Sequence, residues 1–240
     1  MNSAFAAAPA SRVRAADALV IVATLAAGLF FDVLTDIAGQ TALSAAVWLV
    51  LFYVLRGAVS GERGALMACL VIATSGEMVL SLGLGLYTYR LGNIPMFVPP
   101  GHVLILLLGL SLARIMPQTV AYAIFGCAAL YSLAAAVTGV DTLGVALFLA
   151  LAVSAFVMPS QRALYASTFV LSLALELYGT WLGNWNWARH VPATALVTTN
   201  PPVVAGAFYC VLDAAVVSLS MLLARHWPRA GRSFPRSHAV

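Results

Sequence analysis

Four carboxylates stand inside apolar runs of this 240-residue chain: Asp32, Glu77, Glu176 and Asp213. An ionisable group at the centre of a membrane helix costs about 2.5 to 3.5 kcal/mol, so such groups mark functional sites by default. Each glutamate is followed one turn later by a hydroxyl, Ser81 or Thr180, and has a glycine close by, Gly76 or Gly179. Small and hydroxylated neighbours belong to packed helix interfaces, not to lipid-facing surface. Asp213 comes eleven residues after Pro202, a rise of about 16 Å that puts it near the midplane of a helix starting at that proline. Tyr209, Cys210 and Ser220 share its face. Asp32 lies one turn from its helix end, where snorkelling to the interface accounts for it. Glu77, Glu176 and Asp213 are therefore the candidates for proton transfer. The structural alternative for each is a protonated acid hydrogen-bonded across helices.

The residues that follow the two glutamates repeat. Glu77, Gly85, Tyr87, Tyr89, Arg90, Pro95, Pro99 and Pro100 line up with Glu176, Gly183, Trp185, Trp187, Arg189, Pro192, Pro201 and Pro202. In both copies a carboxylate precedes Gly-x-aromatic-x-aromatic, an arginine and a proline-rich return, the mark of one unit used twice. Alternating aromatics predict two short extended segments with Tyr87, Tyr89, Trp185 and Trp187 facing inward, where their π faces can stabilise a cation or stack on a polyene. Ordinary interfacial belts use the same residues. Arg90 and Arg189 are placed to pair with the glutamates or to hold an anionic headgroup, and His102, after Pro99 and Pro100, is placed to move a proton. With the aromatic residues, these three complete the candidate substrate-binding set.

These residues need a membrane scaffold. The chain is 62% hydrophobic and 8% charged, against about a quarter charged in soluble domains. At about 20 residues per span, it holds about eight helices: an all-α integral membrane protein of two parallel four-helix repeats. We expect spans near 16–36, 41–55, 65–86, 102–116, 118–137, 143–158, 163–182 and 202–224. The units are 1–15 (cytoplasmic amino-terminal segment), 16–116 and 117–224 (the repeats) and 225–240 (a basic, disordered tail against anionic headgroups). With both termini in the cytoplasm of a multi-pass cell-membrane protein, ten of the twelve arginines fall inside and only Arg90 and Arg189 outside. That distribution explains the basic balance without nucleic acid.

The chain has no lysine, which excludes Schiff-base chemistry. Cys69, Cys127 and Cys210 read as core residues, and no spacing indicates a metal or cofactor. No nucleophile elbow, phosphate loop or acidic magnesium-diphosphate cluster occurs.

Glu77 with Gly85, Tyr87, Tyr89, Gly92 and Pro95 resembles the pattern of the integral-membrane carotenoid hydratases of bacteria and archaea, chiefly over 77–102 and more faintly over 176–202. A more distant likeness is to small membrane terpene cyclases, with Glu77 and Asp213 as the carboxylates. The resemblance implies a multi-span protein that adds water to an isoprenoid end group. The second copy departs by carrying Trp for Tyr. The chemistry can be argued separately: alkene protonation needs a carboxylic acid kept neutral until used, and the cation then needs aromatic faces and a second carboxylate. The expectation is acid–base chemistry (hydration, cyclisation or isomerisation) on a hydrophobic isoprenoid or carotenoid-like lipid, with membrane lipids as surroundings and the oligomeric state open. The rival readings are a proton-coupled transporter or lipid-binding protein, and a membrane assembly factor.

Overall fold

The computed structural model describes residues 14–57 and 60–226. All but the end of the amino-terminal segment, and the expected tail beyond residue 226, lie outside them; the first two residues of that tail, Arg225 and His226, belong to the last helix. The described residues form eight α-helices: α1 Ala15–Asp32, α2 Ile37–Leu55, α3 Ser60–Glu77, α4 Val98–Ala113, α5 Gln118–Val137, α6 Leu143–Val157, α7 Arg162–Leu182 and α8 Gly206–His226. Two three-residue strands, β1 Tyr87–Tyr89 and β2 Trp185–Trp187, follow α3 and α7.

Among the described residues, five helical stretches are long and apolar enough to cross a membrane: Ala15–Asp32, Ile37–Leu55, Arg63–Gly83, Gln118–Val137 and Pro159–Leu182. Three shorter apolar helices accompany them, Val98–Ala113, Leu143–Val157 and Gly206–Leu222. Large apolar side chains such as Leu49, Leu130 and Phe156 are exposed on the outside, a surface suited to lipid and not to water. The protein is an all-helical membrane protein.

The helix ends explain where sequence and structure part. Pro99 and Pro100 occupy the first turn of α4, where proline's missing N–H costs nothing, so α4 starts at Val98 and not at His102. In the second half the chain after Pro202 turns once more, and α8 starts at Gly206. A Cβ on Gly206 would meet the backbone of Phe169, so glycine lets the start of α8 lie directly on α7. Asp213 is then seven residues into its helix, about 10 Å, and its expected midplane position shifts toward the strand end. α2 begins earlier than expected because Asp36 caps it, accepting from the Gly39 N–H at 3.0 Å. α7 ends at Gly183 with φ 89°, a left-handed turn that glycine adopts freely.

α3, α4, α7 and α8 form the centre: α4 packs on α7, α3 on α8, and α3–α4 and α7–α8 pack as pairs. α1 and α2 flank α4, while α5 and α6 flank α7 and α8. Burial follows this order, and the run Val103–Leu108 of α4 is buried throughout. Cys69 and Cys210 are buried, but Cys127 on α5 is exposed and is not the core residue its apolar run predicts.

Candidate active site

Directly after Glu77, α3 widens into a π-helical turn, Met78–Gly83, which releases the chain through Gly85 at φ 64° into β1. Such widened turns are frequent at functional sites. β1 pairs with β2 antiparallel, Tyr87 opposite Trp187, Thr88 opposite Asn186 and Tyr89 opposite Trp185. Alternation along the strands turns Thr88 and Asn186 outward and buries the four aromatics. The inward-facing segments expected from the repeat are therefore present, and they are partners of one another.

The ring edges end on the two glutamates. Tyr87 and Tyr89 donate their hydroxyls to Glu77 Oε2 at 2.9 and 2.6 Å. Trp185 and Trp187 donate their indole N–H groups to Glu176 Oε2 at 2.8 and 3.0 Å. Burial, then the neighbouring Glu77 carboxylate, push both strand phenols well above the ordinary tyrosine range. They remain donors at any working pH.

His102 faces the other oxygen of Glu77, its Nε2 3.6 Å from Oε1. Its Nδ1 lies 3.0 Å from the Val98 carbonyl, which only accepts. In its neutral form the ring carries its hydrogen on Nδ1 and turns an acceptor toward Glu77. Tyr209 stacks on the imidazole at 4.8 Å and an interplanar angle of 10°.

Glu77, Glu176, His102 and the four strand aromatics all line one cavity of about 480 Å³, within the range of small-molecule sites. α1, α3, α4, α7 and α8, with Val47 of α2, supply the remaining wall, mostly apolar, with Phe97, Phe208 and Tyr209 adding aromatic surface. Wall residues Val79 and Val211 are 56% and 44% exposed, so the cavity opens sideways onto the apolar helix surface.

Three expected site residues lie elsewhere. Arg90 does not pair with Glu77; its guanidinium donates to the carbonyls of Asp32 and Thr35 and lies 3.8 Å from the Asp32 carboxylate. Arg189 likewise donates to the carbonyls of Val140 and Thr198 at 2.8 and 2.9 Å and not to Glu176. Each arginine is long enough to reach the open end of a neighbouring helical loop, and it holds that loop against the strand pair. Asp213 is buried and off the cavity wall, and its Oδ2 has no hydrogen-bond partner.

Asp32 does not snorkel. It is 1% exposed, accepts from Gln40 at 2.8 Å and Asn184 at 2.9 Å, and ties α1, α2 and the α7–β2 turn together. The cavity wall also holds Tyr209, Phe97 and Phe208, none of them among the expected site residues. Tyr209 had a usable signal, being one turn before a buried acid; the two phenylalanines had none. No group of His, Cys, Asp and Glu able to hold a metal occurs among the described residues.

No protein-family model matches the chain, and neither a curated protein nor a solved structure matches it.

Proposed function

We propose that the cavity is the active site of a membrane enzyme doing acid–base chemistry on an isoprenoid or carotenoid-like lipid. The observation that carries this reading is the convergence of two glutamates, each held by two aromatic donors, on one mostly apolar cavity with a sideways opening. A lipid reaches such a site from within the bilayer.

Glu77 acts as the acid. The alkene π pair takes its proton, a C–H bond forms as the O–H bond breaks, and positive charge develops on the neighbouring carbon. Tyr and Trp faces stabilise that charge. In hydration a water adds and its surplus proton returns to a carboxylate; in isomerisation or cyclisation a carboxylate removes a C–H proton instead. Glu77 suits proton exchange because the His102 Nε2 acceptor stands beside it. Glu176 suits orientation and charge balance, since indole N–H groups donate but do not relay protons.

The same reading extends to the scaffold: eight spans in two parallel four-helix repeats, with both termini cytoplasmic. The packing of α3 on α8 has its counterpart in α7 on α4, and the strand register is symmetric about Thr88 and Asn186. Both support a pseudo-two-fold axis along the membrane normal.

The test is expression in a host making lycopene or another polyprenyl lipid, beside the Glu77→Gln form at equal protein level. Mass spectrometry of extracted lipid is expected to show a product heavier by one water, or an isomer of changed retention, with the parent alone. No change in any supplied isoprenoid sinks this activity for those substrates and favours the carrier reading.

A further inference from the structure

The cavity wall contains two carboxylates and no arginine or lysine. Glu77 and Glu176 are 7% and 6% exposed. In each, Oε2 receives two aromatic donors. Neither Oε1 takes a hydrogen bond from the described residues, and Glu77 Oε1 has the His102 imidazole 3.6 Å away. A buried carboxylate is normally matched by a proton or a cation. Arg90 and Arg189, the nearest arginines in sequence, are committed to loop carbonyls instead. Their place is open to a positive charge brought by a ligand.

The aromatic lining adds to this. Tyr87, Tyr89, Trp185 and Trp187 are all on the wall and pack edge-on or tilted against each other, with ring centroids 4.6 to 6.0 Å apart. Such an aromatic enclosure attracts alkylammonium groups, whose diffuse charge suits π faces and needs no hydrogen bonds. The rest of the wall is mostly apolar and opens sideways between helices, which suits a hydrocarbon tail and leaves a hydrophilic cation without a path.

We propose that the cavity binds hydrophobic ammonium cations, holding the charged nitrogen between Glu77, Glu176 and the strand aromatics with the tail toward the opening. The proposal shares its cavity with the isoprenoid reading but needs no catalysis. It predicts discrimination by charge at constant shape.

The experiment uses the full chain in lipid nanodiscs, with tryptophan fluorescence as readout because Trp185 and Trp187 border the site. Octyltrimethylammonium is compared with 2,2-dimethyldecane, its neutral carbon isostere, both dosed as mole fraction of lipid, and with tail-less tetramethylammonium. We expect octyltrimethylammonium to bind at least about tenfold tighter than either, on the order of one cation–π contact plus a charge pair. Glu77→Gln and Glu176→Gln should each remove most of that preference while leaving the hydrocarbon unaffected. Asp36→Asn, at the exposed cap of α2, should keep it. Equal binding of ammonium and hydrocarbon by the parent overturns the proposal without any variant, as does undiminished preference in both folded glutamine variants. Tetramethylammonium binding as tightly as the octyl compound overturns the role of the tail. An isoprenoid product without ammonium preference sinks this proposal alone; preference without product sinks only the isoprenoid reading.

Discussion

Tyr87 and Trp187 face each other across the β1–β2 pair with ring centroids 4.6 Å apart, and they donate to different glutamates. Tyr87 serves Glu77 at the end of α3, and Trp187 serves Glu176 in α7. Two carboxylates about a hundred positions apart in sequence are thereby set on one cavity by six residues of sheet. The glutamates also terminate the strands' polar edges, so site and scaffold are the same contacts.

Replacing Trp187 by Phe keeps a ring against Tyr87 but removes the N–H that Glu176 accepts at 3.0 Å. A buried carboxylate losing one of two donors costs about 1 to 3 kcal/mol. Thermal unfolding in neutral detergent should show the fall, and an unchanged midpoint would mean that this bond carries no stability.

Gly179 lies under the Trp185 ring, where a Cβ would overlap the indole carbons. Gly179→Ala should therefore displace Trp185, weaken its bond to Glu176 and cost about 1 to 3 kcal/mol, as overpacking does. A blue or red shift of tryptophan emission should accompany the lower stability. Gly76, whose Cβ would meet nothing within 4 Å, should accept alanine without either change.

The buried strand phenols set an alkaline limit. Their folded values lie above the unfolded one, so the folded chain keeps these protons where the unfolded chain, at about pH 10, releases them. The unfolded state then binds fewer protons, and stability falls as pH rises, by about 1.4 kcal/mol per pH unit for each such tyrosine. Below pH 10 both states are protonated and this contribution is flat. Tyr89→Phe should lower stability near neutrality by loss of the 2.6 Å bond to Glu77 while making its decline above pH 10 shallower. Unfolding midpoints from pH 8 to 11 measure both effects.

Arg90 joins β1 to the α1–α2 turn through two carbonyls. Arg90→Ala should cost about 1.5 to 3 kcal/mol, and Arg90→Lys should recover only part, because an ammonium point charge does not match the spread of the guanidinium fork. Chemical denaturation of the three forms in one detergent orders them; a fully rescuing lysine would reduce the contact to simple charge.

The residues that carry the site were legible in sequence because their costs are local. A glutamate in an apolar helix, Gly-x-Tyr-x-Tyr and Gly-x-Trp-x-Trp each declare themselves within a dozen positions. Helix class followed from composition, and the burial of Glu77 and Glu176 from the apolar runs around them and the small and hydroxylated residues beside them. Helix starts were less legible. Proline permits a first turn without dictating one, so Val98 became a start with Pro99 and Pro100 in its first turn, and Gly206 through close packing on Phe169.

Pairing belonged to the tertiary structure. Nothing in the chain states that β1 lies against β2, or that Tyr serves Glu77 while Trp serves Glu176. Arg90 and Arg189 had glutamates available by sequence distance, yet loop carbonyls of Asp32, Thr35, Val140 and Thr198 lay nearer in space. Asp32 met Gln40 and Asn184, so burial with partners replaced snorkelling. Asp213 matched the glutamates in chemistry but turned away from the cavity, because which face of a helix meets a pocket depends on its rotation against its neighbours. Residue types and spacing determined which groups this protein holds ready, and long-range packing decided which of them meet.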